Sequence, residues 1–345
     1  MFCNVVVTRP FDQVFTYQLK NGQVVKEGSV VYVPFGKVNE QLGIVLEIIK
    51  SPVRPKKYKI KNVEKVFDSL VLSKPTIKFI KWTSEYTLAP IGTVLKLFLI
   101  NKNIFTNIKI DKKNNIFNPR KVLLNKDQKK VVNVINKNLF KKTKPLVLEG
   151  VTGSGKTEVF FEAVEKIIQQ KKQALIMVPE ISLTPQLEER FFKRFGFKPE
   201  VWHSKISDKK RKNIWHRCYL GEPLIVVGAR SSLFLPFKKL SLIVVDEEHD
   251  ISYKQEENIR YHARDLAIVR AKIEKANVIL SSATPSLETH NNINKEKYQH
   301  VFLESQYSGI ALPKIEIVDL HTNKLEINKW ISNVIIEELQ NCLSK

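Results

Sequence analysis

One short stretch limits the possible fold more than any other part of the chain. It runs from Leu146 to Val164 and reads LVLEGVTGSGKTEVFFEAV. Its apolar opening predicts a short buried strand, and from Thr157 onward apolar residues recur at helical spacing. The loop between them, residues 150–157, matches G-x-x-x-x-G-K-[ST] at every fixed position. A glycine loop in this context predicts a phosphate-binding loop between a strand and a helix.

Every part of this loop has a predicted role in binding ATP. Glycines allow backbone amides to face an anion, and the following helix adds its positive N-terminal end. We expect Lys156 to contact the β and γ phosphates and the Thr157 hydroxyl to ligate Mg²⁺. Gln128, on an upstream helix, is expected to face adenine. The predicted nucleotide-binding residues are therefore Gly150, Val151, Thr152, Gly153, Ser154, Gly155, Lys156, Thr157 and Gln128.

A second motif supplies the carboxylates that a phosphate-binding loop needs. The run LSLIVVDEEH, residues 240–249, reads as an apolar strand that ends in acidic residues. We expect Asp246 to hold Mg²⁺ and Glu247 to orient or deprotonate the attacking water. An ordinary acidic turn after a core strand is the alternative interpretation, which the glycine loop upstream disfavours. The predicted catalytic residues are Lys156, Asp246, Glu247 and His249, and the predicted magnesium ligands are Thr157 and Asp246.

Composition restricts the partner and the compartment. The chain has 57 basic and 35 acidic residues, a net charge of +22, which predicts a polyanionic partner such as nucleic acid. A general excess of lysine in the sequence is an alternative source of part of this charge. Three cysteines lie far apart without a C-x-x-C pair, so we expect no zinc site and a reduced cytoplasmic setting. No apolar run reaches membrane-spanning length, which predicts a soluble protein.

The chain divides into two differently patterned regions. Residues 1–100 contain short β-like runs separated by glycine and proline turns, followed by two helical stretches, which predicts a small β-rich domain. Residues 101–120, rich in Asn and Lys, predict a linker. From residue 121 to 345, strands alternate with helices, which predicts an α/β fold with a parallel sheet and helices on both faces.

Several longer strings indicate a family. GVTGSGKTEV, MVPEISLTPQ, DEEHDISYKQEENIRYHARDLA and SSATPSLET resemble the PriA family of replication-restart helicases, also called primosomal protein N′, within superfamily 2. The resemblance runs along nearly the whole chain. It implies a first RecA-like helicase lobe, preceded by a β-rich domain that binds DNA 3′ ends. It also implies a DExH-type, 3′-to-5′ DNA-dependent ATPase that uses ATP and Mg²⁺.

The resemblance further implies partners: stalled or branched forks, single strands and 3′ ends of DNA, primosome proteins and single-strand-binding protein. The residues after His249 interleave aromatic and basic side chains, so we expect stacking on bases and contacts with phosphates. A plain surface loop is the alternative. The predicted DNA-binding residues are Phe15, Tyr17, Gly36 and Lys61 in the first region and Arg230, Ser231, Tyr253, Lys254, Arg260, Tyr261, Arg264 and Thr284 in the second.

Three departures from the family pattern leave two functions open. Thr16 stands where the family commonly has an aspartate, the winged-helix domain is nearly absent, and the 345 residues contain neither the second helicase lobe nor the zinc-binding cysteines. The first hypothesis is an ATP-dependent DNA helicase of replication restart, whole or as a fragment. The alternative is a truncated, non-catalytic fork-binding module that binds ATP but does not unwind DNA.

Overall fold

The structure, a computed structural model, describes residues 1–52, 59–99, 119–139, 141, 144–179, 185–304, 315–325 and 329–344. The chain forms two compact units, Met1–Tyr307 and Ser308–Lys345. The described residues of the smaller unit include the helix α9 (Asn333–Leu343).

The first region forms a five-stranded antiparallel sheet in the order β2-β1-β4-β3-β5. Valine and other β-branched residues dominate its strands, and their inward faces form a core. Two helices follow, and Ser73 caps the first of them by accepting a hydrogen bond from the Thr76 amide. The elements are β1 (Phe2–Val7), β2 (Phe15–Gln18), β3 (Ser29–Phe35), β4 (Val38–Ile49), β5 (Lys65–Val71), α1 (Lys74–Thr87) and α2 (Ile91–Phe98).

The second region is a parallel sheet of seven strands in the order β14-β6-β13-β10-β7-β9-β8. Its central strands are apolar on both faces because helices cover both sides. The strands are β6 (Leu146–Gly150), β7 (Gln173–Met177), β8 (Glu200–Trp202), β9 (Leu224–Gly228), β10 (Leu240–Asp246), β13 (Asn277–Ser282) and β14 (Gln299–Leu303). A two-stranded hairpin pairs β11 (Lys254–Gln255) with β12 (Tyr261–His262).

Helices alternate with these strands along the chain. Asn125 and Gln128 begin the first of them with a reciprocal capping box, and Ser207 and Ser286 cap two others. The helices are α3 (Lys126–Asn138), α4 (Lys156–Gln169), α5 (Pro185–Phe195), α6 (Asp208–Leu220), α7 (Ala263–Glu274) and α8 (Leu287–Asn294). This arrangement brings the carboxyl ends of the parallel strands to one edge, where ligands bind in such sheets.

The two regions share a hydrophobic core at a seam between α1, α2 and the parallel sheet. Arg270, fully buried on α7, lies over the rings of Phe79 and Phe98 at 5.4 and 5.8 Å. The Trp215 indole donates a hydrogen bond to the Phe98 carbonyl at 2.7 Å. The Tyr219 hydroxyl donates to the Ser69 carbonyl at 2.7 Å and accepts from the Val71 amide at 2.8 Å. Aromatic, polar and cationic contacts therefore all cross this seam.

The predicted fold class is confirmed: a parallel sheet with helices follows an antiparallel β-rich region. Strands β5, β8 and β14 were not predicted, because they are short or half exposed and lack a clear apolar alternation. The predicted linker lies outside the described residues except for positions 119–120. The domain boundaries at residues 100 and 120 remain a prediction.

Candidate active site

The glycine loop and the acidic motif meet at the carboxyl edge of the parallel sheet. The loop follows β6 and the acidic motif follows β10, and β13 alone separates these two strands. Their residues enclose a cavity of about 350 Å³. It is lined by Val122, Thr152, Gly153, Gly155, Lys156, Thr157, Glu158, Arg190, Asp246 and Glu247.

The loop backbone has the conformation that the glycines were expected to allow. Gly153 and Gly155 have φ values of +79° and +81°, a region that favours glycine. Gly155 precedes α4 without a side-chain cap, so the amides of the first turn have no intrahelical partner and suit an anion. Gly150 lacks room for a side chain because a Cβ would lie 2.7 Å from the Ser154 hydroxyl.

Lys156 is held at the loop by backbone carbonyls. Its Nζ donates to the Gly150 carbonyl at 2.8 Å and to the Val151 carbonyl at 3.4 Å, and the residue is 9% exposed. Thr157, the next residue, is half-buried and lines the same cavity. A buried lysine directed at this loop provides the positive charge that a triphosphate needs.

Gln128 lies beside the glycine loop. It is fully buried, its Nε2 donates to the Ser154 carbonyl at 2.9 Å, and its Oε1 accepts from the Asn125 amide at 3.0 Å. The side chain has no exposed surface in this arrangement, and its contact with adenine stays a prediction. Gln128 attaches the start of α3 to the glycine loop.

Asp246 lies at the end of β10 with a positioned carboxylate. Its Oδ1 accepts a hydrogen bond from the Ser281 hydroxyl at 2.8 Å. Burial raises the pKa of Asp246, while the Ser281 hydrogen bond acts in the opposite direction. A half-buried carboxylate that is positioned at the edge of this cavity is a good candidate to bind a cation.

The next residues form a tight turn beside the cavity. Glu247 has a φ of +46°, a left-handed conformation that is rare outside glycine and is often found at functional sites. The His249 ring and the Ser282 hydroxyl share a hydrogen bond of 2.7 Å, and the same ring lies 3.7 Å from the Glu247 carboxylate. Two serines at the end of β13 therefore orient two of the predicted catalytic residues.

The residues present fit ATP with Mg²⁺. Mg²⁺ is commonly held by one or two carboxylates together with substrate phosphates, and Asp246 and Thr157 line the same cavity. In the part of the chain that the structure describes, no group of three or more His, Cys, Asp or Glu residues could hold a metal by itself. Mg²⁺ usually also keeps several water ligands, so two protein ligands are enough for such a site.

Glu248, to which the sequence motifs assign no role, is the centre of a buried network. It is fully buried, and its carboxylate accepts hydrogen bonds from Arg264 at 3.0 Å, the Ser286 amide at 2.7 Å and the Thr289 hydroxyl at 3.0 Å. The expectation that Arg264 contacts DNA does not fit its burial and its pairing with Glu248 and Asp265. Arg264 links the acidic motif to the start of α8, whereas Thr284 is exposed nearby.

The predicted aromatic contacts with DNA also need correction. Tyr253 is 1% exposed and its hydroxyl donates to the Asp246 carbonyl at 2.6 Å; Tyr261 is 8% exposed. Neither ring has a free face for a base, because both belong to the hydrophobic core. Lys254 and Arg260 are exposed as predicted.

Arg230 and Ser231 follow β9 on the same side of the sheet. The Arg230 guanidinium donates to the carbonyls of Ser252 and Lys254 at 3.1 and 2.8 Å, so it supports the hairpin. Ser231 is exposed. The string MVPEISLTPQ, residues 177–186, includes residues 180–184, which lie outside the described residues.

The four predicted residues of the first region lie near one another. Phe15 packs edge-on against Phe35 at 4.9 Å, and the buried Tyr17 donates a hydrogen bond to the Pro34 carbonyl at 3.1 Å. Gly36 has a φ of +60°, and its carbonyl accepts a hydrogen bond from the exposed Lys61 at 3.5 Å.

Phe15, Gly36 and Lys61 remain available to a ligand. Tyr17 is buried and instead supports the turn at Gly36 through its hydrogen bond to Pro34. The substituted Thr16 donates to the Asn4 side chain at 2.8 Å.

Arg190 is a cavity residue that no motif indicated. It lies on α5, and its Nε contacts the Glu158 carboxylate at 3.0 Å beside the glycine loop. Sequence spacing carries no signal for it, because only the packing of α5 against α4 brings Arg190 to the cavity.

Comparison with known proteins gives the same two regions. Residues 4–100 match the 3′ DNA-binding domain (3′BD) of PriA, and residues 125–293 match the DEAD/DEAH box helicase family. The replication restart protein PriA of Rickettsia felis is 42% identical over 333 residues, 95% of this chain and 49% of that protein. The PriA of Haemophilus influenzae is 43% identical over 199 residues, 58% of this chain and 27% of that protein. The chain spans about half the length of its Rickettsia relatives.

Solved structures show a more distant likeness. The Hef helicase domain of Pyrococcus furiosus is 23% identical with a TM-score of 0.36, covering 50% of this chain and 38% of that one. RecG bound to a three-way DNA junction is 22% identical with a TM-score of 0.39, covering 54% of this chain and 24% of that one. Among the described residues, we find no helix with the length and apolar character that a membrane crossing requires.

Proposed function

The chain belongs to the PriA family of replication restart proteins, and from this premise we propose that it binds ATP and Mg²⁺ at the 350 Å³ cavity in order to act on DNA as a helicase. One observation carries the proposal. Lys156 and Thr157 of the glycine loop line one cavity together with Asp246 and Glu247 of the acidic motif. These are the groups that phosphoryl transfer to water requires.

Each residue has a specific task in this proposal. Lys156 exchanges its carbonyl partners for the β and γ phosphates, and the amides at the start of α4 receive the remaining charge. Asp246 and Thr157 hold the cation, which offsets charge on the transferred group. Glu247 orients and deprotonates the attacking water, and His249 connects this turn to β13 through Ser282.

The wider activity is proposed from the family. We infer that the first region binds DNA 3′ ends near Phe15, Gly36 and Lys61, and that the helicase acts in the 3′-to-5′ direction at stalled or branched forks. Primosome proteins and single-strand-binding protein are the proposed partners, and the cytoplasm is the proposed compartment. The net charge of +22 supports a nucleic acid partner.

A nucleotide titration tests the central proposal. A fluorescent ATP analogue with Mg²⁺ should bind the 345-residue chain, and Lys156→Ala should weaken binding by several kcal/mol because a buried phosphate charge loses its partner. Lys166→Ala, on the same helix α4 but outside the cavity, is the matched control and should bind normally. Equal affinity of wild type and Lys156→Ala would reject the site.

An ATP hydrolysis assay on the same protein distinguishes the two functions that the sequence leaves open. Hydrolysis that rises on addition of single-stranded DNA and is abolished by Glu247→Gln supports the helicase. Binding of ATP with no stimulated hydrolysis supports the fork-binding module.

The proposed 3′-end site of the first region has its own test. A DNA strand with a free 3′-hydroxyl should bind more tightly than the same strand with a 3′-phosphate. Equal binding of the two strands would mean that only charge attraction holds the DNA.

A further inference from the structure

A cavity of about 730 Å³ lies between the end of α1 and the β11–β12 hairpin. Its walls come from both regions of the molecule and include Tyr86 and Leu88 on one side and Lys254, Glu256 and Arg260 on the other. It is separate from the nucleotide cavity, with which it shares no lining residue.

Tyr86 offers a free aromatic face in this cavity. The residue is 55% exposed, and its ring stacks on Trp82 at 4.7 Å with an interplanar angle of 14°. This stack holds the Tyr86 ring in one orientation. Leu88, which ends α1 in a left-handed conformation with φ of +54°, is 91% exposed beside it. Two apolar surfaces therefore lie next to each other at the mouth of the cavity.

The opposite wall is suited to phosphate. Lys254 and Arg260 are exposed on the hairpin. Lys254 pairs with Glu256 at 2.8 Å, and both side chains of this pair are mostly exposed, at 63% and 73%. Exposed ion pairs of this kind contribute little, so Lys254 can exchange Glu256 for a phosphate group at small cost. An exposed aromatic ring facing cations is the combination that binds single-stranded nucleic acid without sequence preference.

The cavity walls are fixed with respect to the nucleotide site. On the hairpin side, the Tyr253 hydroxyl contacts the Asp246 carbonyl, and Arg230 holds the carbonyl of Lys254. On the other side, α1 packs against α7 through the Phe79 ring and the buried Arg270. The exposed ring of this cavity therefore belongs to the first region, while the hairpin that carries Lys254 and Arg260 is attached to the acidic motif through Tyr253.

We propose that Tyr86 and Leu88 form a base-stacking platform for single-stranded DNA whose phosphates lie along Lys254 and Arg260. The platform takes over the stacking role for which the buried Tyr253 and Tyr261 are unsuited. This inference rests on the proposed function, because it specifies how single-stranded DNA meets the helicase region. It places that contact at the seam between the two regions.

A circular DNA strand tests binding to the platform without any contribution from 3′-end binding. A fluorescently labelled circle of oligodeoxythymidine has no 3′ end, and its binding to the full chain is followed by anisotropy. Tyr86→Ala should bind this circle roughly tenfold more weakly, the effect of losing about one stacked base. Tyr86→Phe should bind as the wild type does. Phe192→Ala removes a comparably exposed ring, 48% exposed, on α5 outside the cavity and should also have no effect.

A circle of the same length built from abasic units provides the second readout. Wild type and Tyr86→Ala should bind it equally, since without bases no stacking is lost. Thermal melting will show that Tyr86→Ala is folded. Unchanged binding of the thymidine circle by Tyr86→Ala, or an equal loss on both circles, would overturn the platform and leave the proposed function intact. Failure of the wild type to bind any circle would reject the platform and DNA binding by the helicase region together.

Discussion

The two regions of this protein build their candidate sites in different ways. In the parallel sheet, the polar groups hold one another in place: Lys156 is bound by the loop carbonyls, Asp246 by Ser281, and His249 by Ser282. In the antiparallel sheet, Lys61 is exposed and only weakly attached to the Gly36 carbonyl at 3.5 Å. This difference fits the proposal that the first site carries out chemistry, which needs fixed geometry, and that the second binds a ligand.

The charged pairs of the two regions show the same difference. Glu248 and Arg264 in the helicase region are almost fully buried, at 0% and 7% side-chain exposure, whereas Lys20 and Glu64 in the first region are 43% and 44% exposed. Removing one member of a buried pair leaves a desolvated charge, while an exposed pair is replaced by water. The free energies of unfolding of variants in each pair can test this difference between the two regions.

The largest effect is expected from Glu248→Ala. It leaves the buried Arg264 with only the partly exposed Asp265 as a carboxylate partner and removes the acceptor for the Ser286 amide and the Thr289 hydroxyl, so it should destabilise the protein by about 3–5 kcal/mol. Glu64→Ala, the control in the first region, should cost about 1 kcal/mol or less. Denaturant unfolding of both variants measures the difference. Similar losses would contradict the contrast between the two regions.

A smaller effect is expected at the seam that joins the regions. Tyr219→Phe removes the hydroxyl that bridges the Ser69 carbonyl and the Val71 amide, so we expect a loss of about 2 kcal/mol. Because the regions share one core, unfolding should remain a single transition. Tyr86→Phe, which removes an exposed hydroxyl, is the control and should change stability little. Two separate transitions in the wild type would show that the regions fold independently.

The smallest effect concerns alkaline pH and the first region. Burial raises the pKa of Cys3 from 9.0 to about 11 and that of Tyr17 from 10.0 to about 12. Both folded pKa values lie above the unfolded ones, so their contribution to stability is complete below pH 9 and is lost as pH rises from about 9 to 12. The double variant Cys3→Ala with Tyr17→Phe should lose less stability over this range than the wild type does, because it lacks both groups with raised pKa values.

Thermal melting of wild type and double variant between pH 8 and 11 checks this prediction. The quantity compared is the change in melting temperature with pH within each protein, so a loss of stability that the substitutions cause at every pH cancels. Parallel curves for the two proteins would mean that Cys3 and Tyr17 titrate normally in the folded state.

Local patterns in the sequence determined much of the fold and part of the site. The apolar runs predicted the central strands of the parallel sheet, and the glycine loop with its neighbouring strand and helix was recognisable in eight residues, 150–157. Lys156, Thr157, Asp246 and Glu247 could be predicted because each has a fixed place in a short motif. Such motifs are readable because the backbone conformation that they require depends on adjacent residues.

Tertiary structure alone decided which side chains reach solvent. Tyr253, Tyr261 and Arg264 have the composition of a DNA-binding loop, yet packing buries all three, and the exposed ring beside the hairpin is Tyr86 from the other region. Gln128 turned inward to the glycine loop, and Glu248 became the centre of a network with α8. Burial depends on contacts between residues far apart in the chain, and no local pattern records those contacts.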